Sequence, residues 1–163
     1  MSNKSILFLI LIVPAILISG CIFSKPTQVT PQSQVIPQKN LPSGFTFMGI
    51  HEATVDIGGS SMNATEGVYR NNNEDIYIQV IKNDQPSFLV DQYKQTYKNA
   101  KYDPFEEVLF NGHNATKVKD YETKNGKQLM TFTVIWANVD SMIIVGSSND
   151  SNSVLNLAAA TLH

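Results

Sequence analysis

An α+β fold, with a mainly antiparallel sheet of six to seven strands and two packed helices, is what residues 41–163 predict. Three observations carry it. Apolar side chains alternate with a period of two through most of the segment, as strands lying on a core require. Two Asn-Gly pairs, Asn111-Gly112 and Asn125-Gly126, fall between such stretches and ask for type I′ hairpin turns, in which both central residues need positive φ. Two other stretches abandon the alternation for helical spacing. The predicted order is β-β-β-α-β-β-β-β-α.

The first strand spans 45–57, with Phe45, Phe47 and Ile50 as its apolar positions, and Gly58-Gly59 breaks it. A second strand covers 65–70, and Asn71-Asn72-Asn73 turns the chain into a third at 75–82. There Ile76, Ile78 and Val80 share one face and Tyr77, Gln79 and Ile81 the other, so apolar groups on both sides mark a central strand. Pro86 in a first turn, with Asp84 available as a cap, starts a helix running to about Ala100. Its apolar stripe is Leu89, Tyr93, Thr96, Tyr97 and Ala100. Asp103-Pro104 returns the chain to extended form.

The Asn-Gly turns then divide strands at 107–110, 115–122 and 127–138. The longest carries Met130, Phe132, Val134 and Trp136 on one face and Leu129, Thr131, Thr133 and Ile135 on the other. A β-branched strand at 141–147 precedes a last helix, capped by Asp150 or Ser151, in which Val154, Leu157, Ala158 and Thr161 or Leu162 align. Two amphipathic helices need apolar partners, and the sheet faces supply them. No internal repeat is visible.

Three parts make up the chain: a signal peptide at 1–20, a tether at 21–40 and one globular domain at 41–163. Lys4, the apolar run 6–18 and small Ser19 and Gly20 have the order of a secretory signal. The 13-residue run would reach about 20 Å as a helix, short of a hydrocarbon core of roughly 30 Å. Counting through Phe23 reaches the lower edge for a span, so an uncleaved N-terminal anchor is the rival reading. Both readings leave Lys4 in the cytoplasm and everything after Phe23 outside.

Ile18-Ser19-Gly20-Cys21 looks like a lipobox, which makes Cys21 the lipidation site and the membrane a partner through the anchor. One acyl chain holds a protein only marginally, so a stable anchor implies a second chain or a diether-type lipid. Pro26, Pro31 and Pro37 among Gln, Ser and Thr mark the tether, which has too little apolar area to order itself.

Cys21 is the sole cysteine, which rules out an internal disulfide and a thiolate metal site. Loss of Lys4 with the leader leaves 11 basic against 14 acidic residues. With no basic stripe, nucleic acid is not expected as a partner.

Two resemblances follow from these residues. The lipobox and Pro-rich tether are similar to those of small archaeal exported lipoproteins of unassigned function. Leu41-Pro42-Ser43-Gly44-Phe45, the mid-chain helix, the Asn111-Gly112 hairpin and the long strand ending at Trp136 resemble PsbP-like domains. That resemblance covers 41–163 and implies an αβα sandwich with accessory or binding roles. No residues match the cofactor contacts of its photosynthetic members, so it carries over the fold alone.

Chemistry-bearing motifs are sparse. His51-Glu52 opens like a zinc-protease helix, but Val55 stands where a second ligand belongs. His113 follows a turn and His163 ends the chain, so each histidine reads as a surface residue. Glu106 and Glu107 are adjacent on a strand and point to opposite faces, which keeps them and Asp103 from forming an acid pair or cation cluster. Residues 71–75 are oxygen-rich but lack the glycine and terminal glutamate of a calcium loop. Gly58-Gly59-Ser60-Ser61 is too short to cradle phosphate, and no Gly-x-Ser-x-Gly elbow occurs around Ser147 and Ser148.

Asn63, Asn114 and Asn149 begin glycosylation sequons. Tyr69, Tyr77, Tyr93, Tyr97, Phe132 and Trp136 read as core packing, with a ligand groove as the other reading. No catalytic, metal or cofactor-binding residue is assigned. The expectation is a membrane-anchored extracytoplasmic lipoprotein acting as a non-enzymatic binding or accessory module, with an envelope protein or a ligand as its partner. The alternatives are a cell-envelope hydrolase with a site assembled from distant residues, and a carrier of lipid or another apolar ligand.

Overall fold

A computed structural model describes residues 35–161. The signal peptide, the lipobox with Cys21, most of the tether, and His163 lie outside the described residues.

Period-two alternation does form the expected strands: β1 (Phe45–Ile57), β2 (Ser60–Asn71), β3 (Glu74–Lys82), β4 (Phe105–Phe110), β5 (His113–Lys124), β6 (Lys127–Ala137) and β7 (Ser141–Ser148). Helix α1 (Pro86–Gln95) follows β3, and α2 (Ser151–Ala160) follows β7. The described residues therefore form an α+β domain on one seven-stranded sheet, ordered β1-β2-β3-β7-β6-β5-β4. Every neighbouring pair is antiparallel. β3, with apolar groups on both faces, is interior, between β2 and β7.

Both Asn-Gly pairs make the hairpins expected of them. Asn111 and Gly112 take φ of 47° and 79°, and Asn125 and Gly126 take 53° and 74°. β2 begins five residues earlier than expected, because backbone pairing with β1 extends it over 60–64, where Met62 and Ala64 reach the α1-side core between Ser61 and Asn63.

The sheet separates two cores. On one side Tyr69, Ile76, Ile78, Val80, Val134 and Trp136 pack against Val154, Leu157 and Ala158 of α2. On the other, Ile57, Ile81, Val118, Ile135, Met142 and Ile144 pack against Leu89 of α1. A shift of register between Phe47 and Gly49 lets β1 serve both. Phe45 and Phe47 join the α2-side core, while Val55 and Ile57 join the α1-side core. Ile50 is exposed, as is Met130 near the end of β6.

Three expectations need correcting. The globular packing begins before Leu41: Val35 and Ile36 are buried in the α2-side core, and Tyr69 donates a 2.9 Å hydrogen bond to the Pro37 carbonyl. Two apolar side chains outweigh the tether-like composition around them. Asp84 does not cap α1; Gln85 occupies the cap without a side-chain bond, and the Asn83 carboxamide accepts from the Gln85 N–H instead. The helix also stops at Gln95, after which i→i−3 bonds from Thr96, Tyr97 and Lys98 continue the chain as turns. Asp150 caps α2 as expected, accepting from the Asn152 and Ser153 N–H groups at 3.0 and 3.2 Å.

Candidate ligand-binding groove

Helix α1 covers only part of its sheet face, and beyond it lies a groove of about 290 Å³. Strand parity builds its floor. Asp120 and Glu122 are two apart on β5, Thr131 and Thr133 two apart on β6, and Tyr77 and Gln79 two apart on β3, so each pair faces the same way. Val55 and Asp56 of β1 form one wall, and Tyr93 and Tyr97, on the last turn of α1 and just past it, form the other. Ile144, Gly146 and Ser147 of β7 complete the base. A second hollow of about 260 Å³ adjoins through Tyr77, Glu122, Thr131 and Ser147 and extends to Glu74, Lys124 and Asn149.

Gly146 has a steric role in this base. A Cβ there would collide with the Thr133 hydroxyl and approach Thr133 Cβ and Cγ2 to 3.1 Å. Absence of a side chain lets Thr133 settle over β7, where the β6–β7 register shifts between Phe132 and Val134.

Hydroxyl and amide donors hold the groove's carboxylates in place. Asp120 accepts from Tyr97 at 3.0 Å, from Tyr102 at 3.2 Å and from the Tyr121 N–H at 2.7 Å. Ser147 donates to Glu122 at 3.1 Å, and the Gly59 N–H to Asp56 at 2.9 Å. Burial pushes the Tyr97 phenol well above its ordinary value, and neighbouring Tyr93 and Asp120 push it the same way. Burial also raises Tyr93, partly offset by its hydrogen bond with Tyr97. Both phenols therefore remain protonated donors. No lysine, arginine or histidine lines this groove among the described residues.

The residues singled out by sequence are dispersed. Asn63 on β2, Asn114 on β5 and Asn149 in the β7–α2 turn are all exposed; Asn149 borders the second hollow, and Asn114 borders a separate one beside Lys94, Glu107 and Trp136. His51 is exposed and sits 3.0 Å from Glu66, whose other oxygen accepts from Gln79. His113 departs from the surface reading. Its ring packs near Phe110 and Trp136, and Nε2 is buried without a hydrogen-bond partner among the described residues. The Asn111 side chain donates to the Ala159 carbonyl at 2.7 Å, which draws this turn against the end of α2.

Glu106 and Glu107 diverge as their adjacency requires. Glu106 pairs with Lys117 at 2.7 Å, and Glu107 meets Lys94 at 3.3 Å and Thr116 at 3.0 Å. Asp103 accepts from the Phe105 N–H. Among the described residues no three His, Cys, Asp or Glu side chains are grouped to hold a metal ion. No described helix is long and apolar enough to cross a membrane.

Tyr93 and Tyr97 pack against the α1-side core as expected and also line the groove with Tyr77, whereas Tyr69 and Trp136 are core residues and Phe132 packs on the α2-side core. Asp120 and Glu122 were not singled out by sequence. Their signal is the shared parity of two acids on one strand, opposite Thr131 and Leu129 on the next. No protein-family model matches the chain, and no curated protein or solved structure is significantly similar to it.

Proposed function

We propose that this protein is an extracytoplasmic, membrane-anchored lipoprotein whose domain acts as a binding or accessory module, with its ligand seated in the groove beside α1. The observation that carries the binding reading is the groove's composition: three tyrosines and three carboxylates border one open concavity, and hydroxyl and amide donors fix the acids in position. Such preset polar groups on an aromatic lining orient a ligand at little ordering cost. Carboxylates, hydroxyls and the Gln79 carboxamide share the lining with the aromatic rings, which argues for a guest with polar groups over a lipid chain. Support for the anchor comes from the run 6–18 followed by Ile18-Ser19-Gly20-Cys21. On the same footing we propose the PsbP-like label for the fold, since layers of helix, sheet and helix are what that resemblance implies.

The test has two arms. Cys21→Ser should leave the leader uncleaved and abolish lipid attachment, read by membrane fractionation with intact-mass analysis. An unmodified Cys21 in mature wild-type protein refutes the anchor. In native membranes, a photoreactive residue at position 131 should crosslink a ligand or partner that one at exposed Val139 does not. Equal crosslinking from both positions refutes the groove.

A further inference from the structure

We propose that the groove takes a small organic cation, an amine or a quaternary ammonium compound; this rests on the groove being the ligand site proposed above. Asp56, Asp120 and Glu122 line the concavity with no cationic side chain among its described lining residues. Elsewhere carboxylates meet cations, as in Glu106–Lys117, Asp140–Lys82 and Asp75–Arg70 at 2.6–2.7 Å. The groove's three acids take part in no such pair among the described residues. Tyr97, Tyr102 and Ser147 fix Asp120 and Glu122 through hydrogen bonds, which orient the charge without cancelling it.

The consequence is selective. A neutral guest would strip water from these carboxylates and return no compensating charge, whereas a cation offsets that loss. A bare divalent ion is a poor fit, because it needs several oxygens converging on one point and the described acids do not converge. The tyrosines supply the complementary half. An ammonium centre is attracted to aromatic faces, and Tyr77, Tyr93 and Tyr97 border the same space. Because Tyr93 and Tyr97 stay protonated, the negative charge of the site remains in the carboxylates. A volume of about 290 Å³ accommodates a choline-sized compound.

The experiment is a titration of the full chain in detergent micelles, carrying ¹³C-labelled tyrosine rings. The probes are choline, tetramethylammonium, spermidine, glucose, and 3,3-dimethylbutan-1-ol, the neutral isostere of choline. At least one cation is expected to shift the groove tyrosines saturably, with choline binding about tenfold or more tighter than its isostere. Glu122→Gln, a change at an exposed side chain, should weaken that binding several-fold while leaving the thermal midpoint unchanged. Asp120→Asn should weaken it further. Equal binding of the isostere, or of glucose alone, overturns the cation while leaving the groove as a ligand site. Silence from all three cations overturns the cation, and the crosslink from position 131 then decides the groove separately.

Discussion

Ile36→Ala tests whether the chain before Leu41 belongs to the folded domain. Ile36 is only 1% exposed and lies in the α2-side core with Val35 and Tyr69. Gly67 makes room for it: a Cβ at Gly67 would sit 2.5 Å from Ile36 Cγ2. Truncation to alanine removes three buried carbons. At about 0.8 kcal/mol each the transfer loss is about 2.4 kcal/mol, and the cavity left behind raises it to about 3 kcal/mol. Urea unfolding of the full chain, followed by far-ultraviolet circular dichroism and by the single tryptophan, Trp136, reads this directly. Tyr69→Phe is the companion change. It leaves the buried Pro37 carbonyl without its donor and should cost about 1–2 kcal/mol. The two side chains touch the same segment, so the double mutant should fall short of the sum. A loss under about 0.5 kcal/mol for Ile36→Ala, the range of ordinary surface changes, would refute the docked segment.

Asp150→Ala should cost about 1 kcal/mol by uncapping α2. Hydrogen bonds from Ser153 and from the Asn152 and Ser153 N–H groups hold the Asp150 carboxyl below its ordinary value, so the folded state binds fewer protons there than the unfolded state. Its contribution is complete above the unfolded carboxylate pKa of about 3.9 and disappears as pH falls through the lower folded value. Thermal melts of wild type and mutant should therefore converge toward acid pH; a gap that persists there contradicts the cap. Gly146→Ala should destabilise by about 1–3 kcal/mol through collision with Thr133, and Thr133→Ala should recover part of that in denaturant unfolding. Additive losses from the two changes would contradict that contact. Asn111→Ala should loosen the β4–β5 turn from α2, seen as faster amide exchange in 156–160 than in β3. Unchanged exchange there would show that the side chain does not hold the helix end.

The parts of the fold legible in sequence are those in which one local rule dominates. Alternation in β3 and β6 identifies which residues face each core, and the Asn-Gly pairs define two hairpins because few other residues accept positive φ. The start of the domain was not legible, since Val35 and Ile36 form too short an apolar pair to stand out among Pro, Gln and Ser. Helix α1 ended early for a related reason. Thr96 and Ala100 fit helical spacing, yet the Thr96 hydroxyl bonds back to the Tyr93 carbonyl and the chain tightens into turns. His113 follows a turn that folds under α2, a placement set by the Asn111–Ala159 contact and invisible locally.

The groove was the least legible feature. Tyr93 and Tyr97 satisfy the spacing of a buried stripe, and only the length of the helix relative to the sheet decides that they border open space. Asp120 and Glu122 look like solvated acids until β6, β7 and β3 are laid beside β5. That arrangement depends on contacts between residues 40 and more positions apart.

Intact-mass analysis of the mature protein, extracted from its native membranes, tests the anchored-module account most directly. The account predicts a chain beginning at Cys21 with lipid mass attached, recovered in the membrane fraction. A soluble chain that retains residues 1–20 and an unmodified Cys21 would contradict it.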